Sequence, residues 1–183
     1  MRKIPAIFIL LILITAIFPC CEVENCPPNA LSFAHFALVD QHGRSIKIKT
    51  PLTVIGQITT DITVREEQED GTIKETIVKD TIVNDTLINQ EKEASSIKIP
   101  LSFKQSTKII LSYDDGATTD EIDIKHNNIP YFYNIDCGTM MFHEVTELHA
   151  SSRVLDSITI TNPNIDNNEK ENFKIYFTLP DNE

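Results

Sequence analysis

The sequence predicts an all-β protein, an antiparallel β-sandwich (Ig-like in its general architecture) behind an N-terminal signal helix. Three observations carry this. Apolar and polar residues alternate at period two in repeated short runs from residue 30 onward. Asp-Gly turns punctuate those runs at Asp70-Gly71 and Asp115-Gly116. No stretch past residue 30 carries the spacing of an amphipathic helix, although residues 142–149 have room for one helical turn.

The elements follow in order. Residues 30–39 are apolar and end in a turn at Asp40, Gln41, His42 and Gly43. Residues 45–49 alternate through Ile46 and Ile48, and residues 52–58 follow Pro51. Residues 61–66 and 72–79 flank Glu69, Asp70 and Gly71, which predicts a hairpin. Ile97, Ile99, Leu101 and Phe103 alternate strictly. Ile109, Leu111 and Tyr113 repeat that pattern up to Asp115-Gly116, and Ile122 and Ile124 answer across the turn. Residues 131–135, 140–148, 154–161 and 173–177 complete nine or ten short strands. β-Branched residues dominate, as a half-buried pleated surface prefers. The connections are too short for crossover helices, so the order is antiparallel, and the regular spacing favours a sandwich.

Residues 57–96 depart from this pattern. They are rich in Glu, Asp and Thr and hold a near-repeat: residues 76–80 (TIVKD), 81–85 (TIVND) and 86–90 (TLINQ). Three copies are too few for a solenoid. A long protruding hairpin or mobile insertion is expected, within one domain over residues 30–180.

The N-terminus has a different character. Met1, Arg2 and Lys3 precede an apolar run over residues 4–18, shorter than the roughly 20 residues that span a bilayer. This is the order of a secretory signal, expected over residues 1–20. Pro19, Cys20, Cys21 and Glu22 follow. A cysteine at the end of such a run resembles a bacterial lipobox, whose thiolate takes a diacylglycerol. The usual Leu, small residue, Gly or Ala is replaced by Phe18, Pro19 and Cys20, so the match is loose. Cleavage before Cys20 would put the proline ring at the cut, whereas cleavage before Cys21 puts the small Cys20 there. Cys21 is therefore the expected lipidation site, with Cys20 as the alternative. An acylated N-terminus suffices to anchor the chain to a membrane. Residues 21–29 then form an acidic spacer.

Removing the leader leaves 163 of 183 residues, enough for one domain with a core of its own. The loss of Arg2 and Lys3 takes the net charge from −11 to −13. Such acidity argues against a nucleic-acid partner and against adhesion to anionic lipids, and favours solubility. With Cys20 removed and Cys21 acylated, Cys26 and Cys137 remain. In an oxidising compartment they are expected to pair, free thiols being the alternative.

Several stretches resemble a family of small Bacteroidetes lipoproteins of unknown function: Asp136-Cys137-Gly138 with Phe142, Leu155-Asp156-Ser157-Ile158, Thr161-Asn162-Pro163 and Lys174-Ile175-Tyr176-Phe177. Cys26 and Ile99-Pro100-Leu101 fit as well. The resemblance implies a β-rich envelope lipoprotein, expected in the outer membrane on its periplasmic face or at the surface, and supplies no catalytic residues. Exported proteins of that phylum are often O-glycosylated at Asp, then Ser or Thr, then an apolar residue. Thr81, Thr86 and Ser157 sit in such triplets, Ser157 being the weakest because it lies in an expected strand.

Other chemistries find little support. Asp114, Asp115 and Gly116 with Asp120 and Glu121 lack the spacing of a calcium loop and read as a turn with solvated acids. His143, Glu144, Glu147 and His149 miss the zincin spacing; His143, Glu147 and His149 share a strand parity and read as exposed polar positions. No Gly-x-Ser-x-Gly elbow is present, and pairing with Cys26 explains Cys137 better than nucleophilic catalysis does. With five Gly and no Trp, neither a phosphate loop nor a sugar-stacking groove is evident. No metal and no cofactor is expected. The expectation is a non-enzymatic accessory or binding lipoprotein with an envelope protein partner. The alternatives are a surface adhesin or coat component, for which Glu22-Val23-Glu24 resembles an acidic export signal, and, third, a hydrolase.

Overall fold

The computed structural model describes Cys26 and residues 31–178. The expected signal helix, Cys20 and Cys21 lie outside the described residues. Among the described residues, ten strands form two sheets. They are β1 (Phe33–Asp40), β2 (Leu52–Glu67), β3 (Ile73–Glu91), β4 (Ser96–Pro100), β5 (Ser106–Tyr113), β6 (Thr118–Asn134), β7 (Gly138–Ala150), β8 (Ser157–Ile160), β9 (Asn164–Ile165) and β10 (Phe173–Phe177). The smaller sheet runs β4-β1-β10-β8 and the larger runs β3-β2-β5-β6-β7-β9.

The sandwich core is the inward half of each alternating strand. Phe36, Leu38, Ile97, Ile99, Phe173 and Ile175 of the small sheet meet Leu52, Val54, Ile109, Leu111, Ile122 and Ile124 of the large one. Phe36 and Phe173 pair in register and stack at 4.5 Å. Tyr113 and Phe177 close the space between the sheets edge to face at 6.4 Å.

Several expectations change on contact with the structure. The large sheet is antiparallel, but β1 and β10 pair in parallel. Short connections force antiparallel order only on consecutive strands, and these are the first and last. Residues 45–49 make single bridges, Ser45 to Val39 and Ile48 to Ala94, and no strand. The runs over 52–58 and 61–66 are one strand, β2, and the run over 131–135 is the far end of β6. Residues 142–149 are extended. The turn at Glu69-Asp70-Gly71 is as expected: Gly71 sits at φ +79° and Asp70 Oδ1 accepts from the Thr72 amide.

Asp114, Asp115 and Gly116 form the expected turn, all three at positive φ, but Asp120 is not one of its solvated acids. It is fully buried. Its carboxylate accepts the amides of Arg153, Val154 and Leu155 and the Ser151 hydroxyl, at 2.6–2.9 Å. Burial pushes its pKa up, but these donors outweigh burial and hold it below the usual value.

Cys26 and Cys137 are joined by a disulfide, with a sequence separation of 111. Replacing both with serine is expected to cost at most about 4–5 kcal/mol in urea unfolding, because the open chain regains loop entropy. Asp120→Asn leaves amide donors unsatisfied and is expected to cost about 2–4 kcal/mol in the same assay. Since the folded pKa of Asp120 is depressed, its contribution is complete above the unfolded pKa of about 3.9 and is lost as pH falls through the folded value. Asp120→Asn is expected to remove that part of the acid sensitivity.

Candidate binding site

Two long hairpins leave the same end of the large sheet. Gln57 of β2 faces Lys108 of β5, and Ser106 of β5 faces Lys125 of β6. Beyond those pairs β5 has ended, while β2 runs on to Glu67 and β6 to Asn134. From Ile58 outward, β3 is the one strand paired with β2 among the described residues. Most of β3 up to Thr86 is exposed, including Ile73, Ile77 and Ile82 at 61–65 %. β3 is also the sheet edge, 19 residues long.

A cleft of about 390 Å³ opens at the root of the β2–β3 hairpin. Ile58, Val83, Leu87 and Leu101 give it apolar walls, and Asn84 and Thr107 give it polar ones. Gly56 makes room for this wall, since a Cβ there would sit 3.1 Å from Leu87 Cδ1. A second cleft, of about 440 Å³, shares Gln57 and Ile58 and carries Asp80, Lys104, Lys108 and Asp123. The Lys104 ammonium donates to the Thr59 carbonyl and ties the loop over residues 101–105 to the hairpin.

Behind Thr107 lies a buried polar network. The inward row of β6 runs Asp120, Ile122, Ile124, His126, so a histidine takes the place an apolar residue would hold. His126 and His143 are 1 % and 4 % exposed, and their rings meet edge to face at 4.9 Å. Asn128 Oδ1 lies 3.0 Å from His126 Nδ1 and 2.8 Å from His143 Nδ1. A carbonyl oxygen only accepts, so both Nδ1 atoms carry the proton. His126 Nε2 is then the acceptor for the Thr107 hydroxyl at 2.9 Å, and Thr107 Oγ1 accepts the Ser102 amide at 2.8 Å. Asn128 Nδ2 donates to the carbonyls of Phe103 and Lys104. Both imidazoles are held by neutral partners, and burial favours their uncharged form.

This corrects the reading of His143 as an exposed position sharing a face with Glu147 and His149. Val145 pairs with His126 and Glu147 with Lys125, so Thr146 is an extra residue. That bulge reverses the parity: His143 points inward, while Glu147 and His149 are exposed. Glu147 pairs with Lys125 at 2.6 Å. Among the described residues, no three His, Cys, Asp or Glu side chains gather as a metal site. Thr81, Thr86 and Ser157 all lie in strands; Thr86 and Ser157 are exposed and Thr81 is half-buried. The sequence reading missed Thr107, His126 and Asn128. Extending the Ile122, Ile124 alternation by one step each way finds both Asp120 and His126.

The molecule is thus a disulfide-tied, two-sheet β-sandwich with paired hairpins around a cleft. It belongs to a family of unknown function, DUF6452, whose model matches residues 72–177. The match begins at the β2–β3 turn and ends with the last residue of β10. No curated protein and no solved structure matches the chain.

Burial, and then repulsion from His126, pushes the His143 pKa down to about 4. Burial also lowers that of His126, partly offset by its bond to Asn128. The unfolded chain therefore takes up protons first as pH falls. The stabilisation is complete above about pH 6.5 and is lost progressively toward pH 4. His143 alone is expected to account for about 2 kcal/mol of lost stability between pH 7.5 and 5. Urea titrations at both values check this, with a smaller pH difference expected for His143→Gln.

Proposed function

We propose that the protein is a lipid-anchored, non-enzymatic binding module that holds an envelope protein by strand addition to β3. The open edge of β3 carries this reading. An edge strand offers a row of amides and carbonyls to another chain, and natural edges are usually short or blocked. β3 is long, among the described residues no strand lies beside its outer edge, and Ile77 and Ile82 stand exposed along it. The mixed lining of the adjoining cleft suits a side chain of the added segment. The expected leader over residues 1–20, just before Cys21, and the likeness to Bacteroidetes lipoproteins, support the anchor in the outer membrane. A non-enzymatic role fits a histidine pair held by Asn128 and Thr107, with no carboxylate to orient either ring.

The adhesin alternative needs the β2–β3 hairpin to point away from the membrane. The strand register sends it from the same end as the β6–β7 hairpin, which is bonded to Cys26 near the anchor. Glycans on Thr81 or Thr86 would cap the same edge, so strand addition needs these residues bare.

Photo-cross-linking in the native host tests the proposal. A cross-linkable residue at Ile77 or Ile82 is expected to give one discrete protein adduct, and one at Val154 none. The companion change Ile77→Glu with Ile82→Thr is expected to abolish an adduct formed from a third β3 position, Glu75. Adducts that survive this change, or their absence from an envelope-located protein, overturn strand addition.

A further inference from the structure

Exposed apolar side chains gather at the tip of the β6–β7 hairpin. Tyr131, Phe132, Tyr133 and Ile135 are 46 %, 61 %, 44 % and 91 % exposed, and Leu31 is 55 % exposed. The rings are already arranged: Tyr131 stacks on Phe142 at 5.0 Å and meets Tyr133 edge-on at 6.5 Å. The N-terminal segment is fastened to the same region twice. Leu31 bridges Met141 in parallel, with the Ser32 hydroxyl donating to the Met141 carbonyl at 2.6 Å. Cys26 is bonded to Cys137, the residue before β7 begins.

Cys21 lies five residues before Cys26, and five residues reach at most roughly 18 Å when fully extended. The Cα atoms of Cys26 and Cys137 are 5.4 Å apart. A lipid on Cys21 therefore keeps the hairpin tip close to the bilayer surface. Tyrosine and phenylalanine rings find a favourable place at the headgroup level, where an apolar body and a polar edge are both solvated. The formal net charge, −13 once Arg2 and Lys3 are lost with the leader, gives no general attraction to anionic lipid, so the affinity of the tip is apolar.

We propose that the tip formed by Tyr131, Phe132, Tyr133 and Ile135 inserts into the headgroup layer of the membrane that carries the lipid, fixing how the sandwich stands on it. This rests on the lipid-anchored reading. Insertion makes the contact a second membrane signal beside the acyl chains. The loop holding Val154 follows the other end of β7, whose 13 residues span about 40 Å.

The chain has no Trp, so Phe132→Trp and Val154→Trp each install a single tryptophan in the full-length protein, excited apart from its four tyrosines at the red edge. The proteins are expressed in a lipoprotein-processing bacterium, and intact mass reports the acyl chains. They are then reconstituted into phosphatidylcholine vesicles with and without a lipid brominated near the headgroup. The emission of F132W is expected to shift to the blue and to be largely quenched by the brominated lipid, at low and high salt alike. That of V154W is expected to stay at the solvent position, unquenched. Acylated F132W with solvent-like, unquenched emission overturns insertion while leaving the anchor in place. Equal quenching at both positions overturns the fixed orientation. A mass without acyl chains removes the anchor and the proposal with it.

Discussion

β5 is eight residues long and lies between strands of 16 and 17. Much of the hairpin end of the molecule, with its clefts, follows from that mismatch. Where β5 stops, β2 and β6 lose their common neighbour and must take other partners. β2 pairs on with β3 and β6 with β7, so the sheet divides into two hairpins. Successive strands twist by roughly 20–25°, so hairpins two strands apart splay by about 40–50° and leave space between them. The loop over residues 101–105 fills the root of that space, and its backbone groups need partners there. The His126 amide reaches the Gln105 carbonyl, and Asn128 reaches the carbonyls of Phe103 and Lys104. The polar residues in an otherwise apolar row therefore sit where the ladder ends and backbone groups would otherwise be orphaned.

The sandwich was legible because period two is a local property. Ile97 and Ile99, Ile109 and Leu111, and Ile122 and Ile124 each declare a buried face without reference to the rest of the chain. The pairing of β1 with β10 was not legible, since nothing local tells the first strand that it will meet the last. Strand length was equally hidden. The hairpins carry exposed residues on both faces, so alternation fades, and a 16-residue strand reads as two short ones.

The buried network shows the limit of parity arguments. His143 and Glu147 stand four apart and ought to share a face. One extra residue at Thr146 reverses everything beyond it, and nothing in the sequence marks that bulge. Asp120 misled, and His126 was passed over, for another reason: type alone places a charged or titratable residue at the surface. Both are buried because backbone amides and side-chain partners already satisfy them, and such partners are known only once the fold is known. Cysteine arithmetic fared better, since after the expected leader and lipid are assigned only Cys26 and Cys137 are left to pair.

The disulfide links the two ends of this reasoning. Its long loop gives it a role in stability, and its position gives it a second role. By holding Cys26 at the β6–β7 tip, it fixes which end of the sandwich the N-terminal segment leaves. The strand register fixes that the β2–β3 hairpin and its cleft open from that same end. On the proposed reading, the open edge of β3 is therefore offered near the bilayer. There a long edge is less of a liability than it would be on a freely diffusing protein. Anchoring limits the rotations by which two edges meet, and the acidic surface keeps copies apart. A tether, a repulsive surface and one long edge beside the bilayer together favour pairing with a membrane-bound partner over self-association.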